Sequence, residues 1–188
     1  MNSILTAERE PNLAFQGILH SFFHRLESGE GVAIAFTSAN SGEGVSYVSS
    51  KIASQLSASC SGSSLYLSSA QLCDESWGAG RTSRLDGFAT GETVVSTTPW
   101  EDWRTKVSKI RSRYRYSIID CPALSTSSDV LSLAPHLDGI VVVVAANETH
   151  KTQIANVERQ IHMVNGKVLG YLLNKRKYMV PDWLYKRI

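Results

Sequence analysis

Two places in the chain carry residue types and spacing suited to phosphate and metal chemistry. The first is Ala39-Asn40-Ser41-Gly42-Glu43-Gly44-Val45-Ser46. It follows an apolar, β-branched run from Val32 to Thr37. It opens a stretch whose Val45, Val48, Ile52 and Leu56 recur with helical period. In the order strand, glycine loop, helix N-terminus, backbone N–H groups turn inward around phosphate oxygens at the positive end of the helix. Such a loop also uses a lysine just before a final Ser or Thr. The lysine places charge on the β- and γ-phosphates and the hydroxyl ligates Mg²⁺. Ser46 offers the hydroxyl, but Val45 holds the place of the lysine. A charge-assisted hydrogen bond contributes about 1.5–3 kcal/mol, so its loss weakens nucleotide binding roughly tenfold to a hundredfold. Phosphoryl transfer suffers more, because charge moves onto that group in the transition state. Val45 itself reads as a core contact at a helix start. Lys51, six residues further on, points away from the loop. The second place is Asp120-Cys121-Pro122, closing another apolar run. In a parallel sheet that is the carboxyl edge, where ligands bind. Asp120 there is either a remaining metal or nucleotide contact or a carboxylate that caps its own loop.

Two apolar patterns alternate along the chain and would position these residues. Short continuous runs (Val32 to Thr37, Leu65 to Leu67, Ser117 to Ile119, Ile140 to Ala145, Val168 to Leu173) suit strands buried on both faces. Between them lie helical stripes: Val45, Val48, Ile52 and Leu56; Trp103, Val107, Ile110 and Tyr114; Ile154, Val157, Ile161 and Val164. An opening helix at about 11–27 shows Phe15, Ile18, Leu19, Phe22 and Leu26. Repeated strand–helix units predict an α/β fold of three layers with a mainly parallel sheet. Residues Gln71 to Thr98 are the least patterned and read as a long irregular connection.

The chain's 188 residues predict a single domain, 1–188, with a basic and aromatic tail at about 175–188. Net charge is +2 and 43% of residues are hydrophobic, which excludes wholesale disorder. The longest apolar run, Ile140 to Ala146, is too short to span a bilayer. The N-terminus lacks the basic and apolar regions of a signal peptide. Three cysteines (Cys60, Cys73, Cys121) show no metal spacing and read as reduced thiols in a cytoplasmic protein.

The run AFTSANSGEGVSYVSSKIASQLS resembles the phosphate-loop segment of bacterial tyrosine kinases, roughly TSxxPGEGKST. YRYSIIDCPA resembles the second Walker segment of that family (YDYVIIDTPP). SDVLSLAPHLDGIVVVV and GKVLGYLLN resemble the elements that follow, and together they cover about residues 10–178. The resemblance implies a P-loop NTPase-like domain of the MinD/ParA-like class, acting beside capsule and exopolysaccharide chain-length proteins. Residue by residue it implies phosphate-loop roles for Gly42, Glu43 and Gly44. It makes Ser46 and Asp120 Mg²⁺ ligands, should nucleotide bind, and Asn174 the residue that contacts adenine.

The departures from the family are specific. Val45 replaces the lysine. Where the family writes LLIDADLR, with acids for metal and hydroxyl, this chain has Leu65-Tyr66-Leu67-Ser68-Ser69-Ala70-Gln71-Leu72. The next acids, Asp74 and Glu75, lie beyond the expected strand end. The family's ring-forming ExxRxxR aligns with Leu13, Gln16 and Leu19, and of its tyrosine-rich tail Tyr178 and Tyr185 remain. The expectation is therefore a pseudokinase: no catalytic residue and no cofactor, or at most weak Mg-ATP. It would regulate exopolysaccharide or capsule biosynthesis or export by binding a membrane-bound polysaccharide co-polymerase or export protein, from the cytoplasm or peripherally at the inner membrane. Two rivals stay open: a weak ATP-binding switch or residual kinase or ATPase, and a MinD/ParA-like adaptor on membrane or nucleic acid.

Other features are less specific. Arg104, Lys106, Lys109, Arg111, Arg113 and Arg115 place six cations in twelve positions. They read as a solvated face or as a patch for an anionic partner, with no specific nucleic acid expected. The tail around Trp183 would lie on a membrane, dock a partner or pack on the domain. Asp129 and Asp138 read as caps of local turns. His20 and His24 have i, i+4 spacing but no third metal ligand.

Overall fold

A computed structural model describes residues 4–6, 31–59, 63–73 and 103–175. The elements are β1 (Ile4–Thr6), β2 (Val32–Ser38), α1 (Val45–Ser59), β3 (Ser64–Ser68), α2 (Ser69–Cys73), α3 (Trp103–Arg113), β4 (Tyr116–Asp120), α4 (Asp129–Leu133), a 3₁₀ turn (Ala134–His136), β5 (Gly139–Ala145), α5 (Lys151–Met163) and β6 (Val168–Asn174). The six strands form one sheet in the order β1-β6-β5-β2-β4-β3, and every neighbouring pair is parallel. The mainly parallel sheet expected from the alternating patterns is present, and the five strand runs read from the sequence all appear. Strand β1, three residues beside β6, is an addition. The irregular connection also begins later than expected, because Gln71–Cys73 belong to α2. The opening helix at 11–27, most of the connection to Thr98 and the tail beyond Lys175 lie outside the described residues.

Two cores sandwich the sheet. On one face Val32, Ile34 and Phe36 of β2 meet Val48, Ile52 and Leu56 of α1. On the other, Ala33 and Ala35 of the same strand face the layer of α3, α4 and α5, with Val107, Ile110, Leu133, Val157 and Ile161. Both faces of β2 and β5 are buried, which is why their sequences are unbroken apolar runs rather than alternating ones. Each fully buried aliphatic side chain contributes about 1.5–3 kcal/mol.

The topology fixes where a ligand would sit. Central strand β2 pairs with β4 on one side and β5 on the other. The chain leaves it first toward β3 and β4 and only later toward β5 and β6, so the crossovers diverge at the carboxyl end of β2. That is the crevice position of open α/β sheets. Register carries Ser68 and Asp120 to this edge beside Phe36, while Ala145 and Asn174 end the strands on the other side.

Candidate functional site

The loop between β2 and α1 occupies that crevice. Gly42 and Gly44 have φ of +83° and +90°, left-handed conformations that glycine adopts without strain. A Cβ on Gly44 would also overlap the Asn174 amide nitrogen. The helix then starts without delay: Val48 N–H donates to Gly44 O at 3.1 Å. The segment after β4 is laced to the end of β2, with Cys121 N–H donating to Phe36 O and Leu124 N–H to Ser38 O, each at 2.9 Å. Thr37 Oγ1 donates to Pro122 O at 2.8 Å. The geometry thus brings together Gly42, Glu43, Gly44, Ser46, Asp120 and Asn174, the residues that the sequence singled out.

Glu43 is the unusual member, only 3% exposed. Its Oε1 accepts from Thr149 Oγ1 at 2.6 Å and from Asn40 Nδ2 at 2.9 Å. Its Oε2 is buried without a partner among the described residues. Asn40 is held in turn by Gln153 Nε2 at 3.2 Å. Thr149 Oγ1 accepts Ala145 N–H at 3.1 Å. Asn174, 8% exposed, donates from Nδ2 to Glu43 O at 2.9 Å. The Asn174 side chain is therefore a brace beneath the loop. Thr149 and Gln153 were not singled out in the sequence, because their partners Glu43 and Asn40 lie more than a hundred positions away.

The opposite flank carries Ser46, at the start of α1, within electrostatic reach of the Asp120 carboxylate. Tyr66 Oη donates to Asp120 Oδ2 at 3.3 Å and lies 3.4 Å from Ser49 Oγ. Ser49 Oγ donates back to Ser46 O at 3.3 Å. Burial pushes the Asp120 carboxyl above its ordinary range, with the Ser46 and Tyr66 hydroxyls opposing. Burial likewise pushes the Tyr66 phenol up to about 12, with the Asp120 charge adding and Ser49 opposing. Of the two readings of Asp120, a capping bond to its own loop is not what the structure gives. Its hydroxyl neighbours come from β3 and α1.

At the places of the family's acids the chain is neutral. Ser68 caps α2: its Oγ accepts Gln71 N–H at 3.2 Å, and Gln71 Oε1 accepts Ser68 N–H at 2.8 Å. Ser69 Oγ donates to Asp129 Oδ2 at 2.8 Å. Asp129 and Asp138 do more than cap local turns. Asp129 ties α4 to the start of α2. Asp138 accepts Ala33 N–H at 2.7 Å and pairs with Arg111 at 2.8 Å. Val45 packs partly buried on the α1 core, as expected of it. Lys51 is exposed, its Nζ 6.0 Å from the Tyr47 ring centre, away from the loop. Among the described residues no lysine or arginine is paired with residues 39–46, and no cluster of three or more His, Cys, Asp or Glu could hold a metal.

The basic helix is partly spent inside the fold. Arg111 also donates to Gly31 O and His136 O, at 3.2 and 3.1 Å. Lys106 Nζ donates to Cys73 O at 2.9 Å, and Arg115 lies over the Tyr116 ring. Arg104, Lys109 and Arg113 remain exposed, the first two lining a concavity of about 440 Å³ with Thr105, Ser108 and Ser112. Cys73 and Cys121 are both free thiols, in keeping with the reading of reduced cysteines. Among the described residues no helix is long and apolar enough to cross a membrane.

No protein-family model matches the chain. Over 69 residues, 37% of its length, it is 32% identical to the succinoglycan biosynthesis transport protein ExoP of Rhizobium meliloti (strain 1021), of which the matched stretch is 9%. Among solved structures it is similar to the kinase domain of the Escherichia coli tyrosine kinase ETK, with a TM-score of 0.70 at 18% identity over 91% of this chain and 78% of that one. It is also similar to the chimerical protein CapA2B2, with a TM-score of 0.67 at 15% identity over 94% and 96%. The chain thus has the P-loop NTPase-like fold of a bacterial tyrosine-kinase domain and shares a stretch of sequence with an exopolysaccharide transport protein.

Proposed function

We propose that this chain is a catalytically inactive homologue of bacterial tyrosine kinases. It regulates exopolysaccharide or capsule biosynthesis or export by binding a membrane-bound co-polymerase or export protein at the cytoplasmic face of the membrane. One observation carries the loss of catalysis. The side chain at the loop's charge position, Val45, is packed into the α1 core, and the carboxylates of Glu43 and Asp120 flank a loop with no paired cation among the described residues. Among the described residues a triphosphate would meet two carboxylates and no paired cation, where phosphoryl transfer needs charge neutralised. The kinship with ExoP supports the polysaccharide setting. The outward cations Arg104, Lys109 and Arg113 are the surface on which we place an anionic partner.

The test is a melting scan together with a transfer assay. A ligand at a hundredfold over its Kd stabilises the native state by about 2.7 kcal/mol, which moves Tm by several degrees in a domain of this size. Millimolar Mg·ATP is expected to leave Tm unchanged, and labelled ATP to leave tyrosine unlabelled. Tyrosine labelling, or a shift of several degrees, overturns the proposal.

The left-handed Gly42 and Gly44 and the nearness of Ser46 to Asp120 favour a second reading. In it the loop keeps weak nucleotide binding through Gly42, Glu43, Gly44, Ser46 and Asp120, with Asn174 near the adenine, and gates partner binding. A melting shift with ATP but no tyrosine labelling selects this reading over the first.

A further inference from the structure

Magnesium in a phosphate loop is held by a hydroxyl, by one or two carboxylates and by the phosphates themselves, in near-ideal octahedral geometry. Here the hydroxyl (Ser46) and one carboxylate (Asp120) are present, the first within electrostatic reach of the second. That arrangement alone is compatible with a metal. Two further features are not. The end of β3 is neutral, with Ser68 used as a helix cap. And the phenol of Tyr66, partly buried on the α1 core, donates its hydroxyl to Asp120 Oδ2 at 3.3 Å. The residues present therefore do not fit Mg²⁺.

We propose that Tyr66 is an internal plug: its hydroxyl engages a carboxylate oxygen of Asp120 that a metal or its water shell would need, so this loop excludes divalent cations whatever the state of position 45. The inference rests on the proposed loss of phosphotransfer and adds a second, independent lesion to Val45. The geometry behind it is a chain of hydroxyls: Asp120 accepts from Tyr66, Tyr66 meets Ser49, and Ser49 donates to the Ser46 carbonyl. Every member belongs to β3, β4 or the first turns of α1. These contacts tie the start of α1 to β3 and β4 with the protein's own hydroxyls.

The experiment titrates Mn²⁺, without nucleotide, into ¹⁵N-labelled full-length protein and reads paramagnetic broadening of the Gly44, Ser46, Asp120 and Cys121 amide signals. Four chains are compared: native, Tyr66→Phe, Ser68→Asp, and the double variant. Ser68→Asp restores an acid at the end of β3 while keeping a good helix cap, so the fold is retained in both single variants. The native chain and Ser68→Asp are expected to show no selective broadening at low millimolar Mn²⁺. The double variant is expected to broaden selectively, with at least a tenfold gain in affinity over Ser68→Asp, reversed by excess Mg²⁺. Tyr66→Phe alone falls between. If Ser68→Asp binds Mn²⁺ as well as the double variant does, or if the double variant binds none, the phenol excludes nothing and the inference fails. These titrations contain no ATP. Tyrosine labelling by the native chain would overturn the proposed function while leaving this result to stand by itself.

Discussion

The loop has two flanks, and they are built differently. Toward β5 and β6 it is braced by a dense polar set: Asn40, Thr149 and Gln153 around the Glu43 carboxylate, and Asn174 beneath the backbone. Toward β3 and β4 it meets a looser ring of hydroxyls around Asp120, with contacts of 3.3 to 3.4 Å. The first flank fixes the backbone conformation, and the second holds the Asp120 carboxylate with its hydroxyl neighbours. The difference teaches that loop shape and loop chemistry are separable. The left-handed glycines and their braces are in place although, among the described residues, no lysine or arginine is paired with residues 39–46.

If that division is right, the brace should govern stability and the ring should not. The largest expected effect is at Gly44. Gly44→Ala forces a left-handed residue, at about 1–2 kcal/mol, and displaces the Asn174 amide from the Glu43 carbonyl. A buried carbonyl left unmatched costs about 1–3 kcal/mol more. Chemical denaturation should therefore show a loss of about 2–5 kcal/mol with an unchanged m-value. Asn174→Ala tests the second contribution alone, with about 1–3 kcal/mol expected. Should both variants melt like the native chain, the brace is a bystander and the two flanks do not differ.

Most of the fold was legible because burial on both faces writes itself as unbroken β-branched runs, and β2, β4 and β5 are such runs. Strand β1 was not, since three residues carry no periodicity. The glycines, Ser46 and Asp120 were legible because they sit in local motifs. The brace was not, because Thr149 and Asn174 reach Glu43 across 106 and 131 positions. Tyr66 looked like one more residue of an apolar strand. Only its placement beside Asp120 gives its hydroxyl a task. The basic helix misled in the other direction. Its composition read as a solvated face or a patch for an anionic partner, but Arg111, Lys106 and Arg115 are engaged within the fold.

Asp120 should respond with the opposite sign to the brace. Burial holds its carboxyl above the ordinary range, so the fold favours the neutral form. That contribution to stability is fully present below the unfolded pKa, near 4. It is lost as pH rises through the raised folded value. At pH 7 the charged side chain is therefore a cost, and Asp120→Asn is expected to raise Tm modestly. The gain should vanish when both proteins are melted near pH 3. A variant that melts lower than the native chain at neutral pH would place Asp120 in the brace rather than in a relict site.

The smallest effect, and the sharpest in pH, belongs to Tyr66. Its long hydrogen bonds predict a loss of about 0.5–1.5 kcal/mol or less for Tyr66→Phe at pH 7. The phenol titrates at about 10 in the unfolded chain and about 12 in the folded one. The neutral form is thus favoured by folding, its contribution complete below pH 10 and lost as pH climbs through 12. Between those limits the native chain should lose stability faster than Tyr66→Phe, which has no phenol to ionise there. Parallel melting curves from pH 8 to 11 for the two proteins would read this directly. Curves that stay parallel to the end would mean that the hydroxyl titrates freely and that Asp120 has no lasting partner in it.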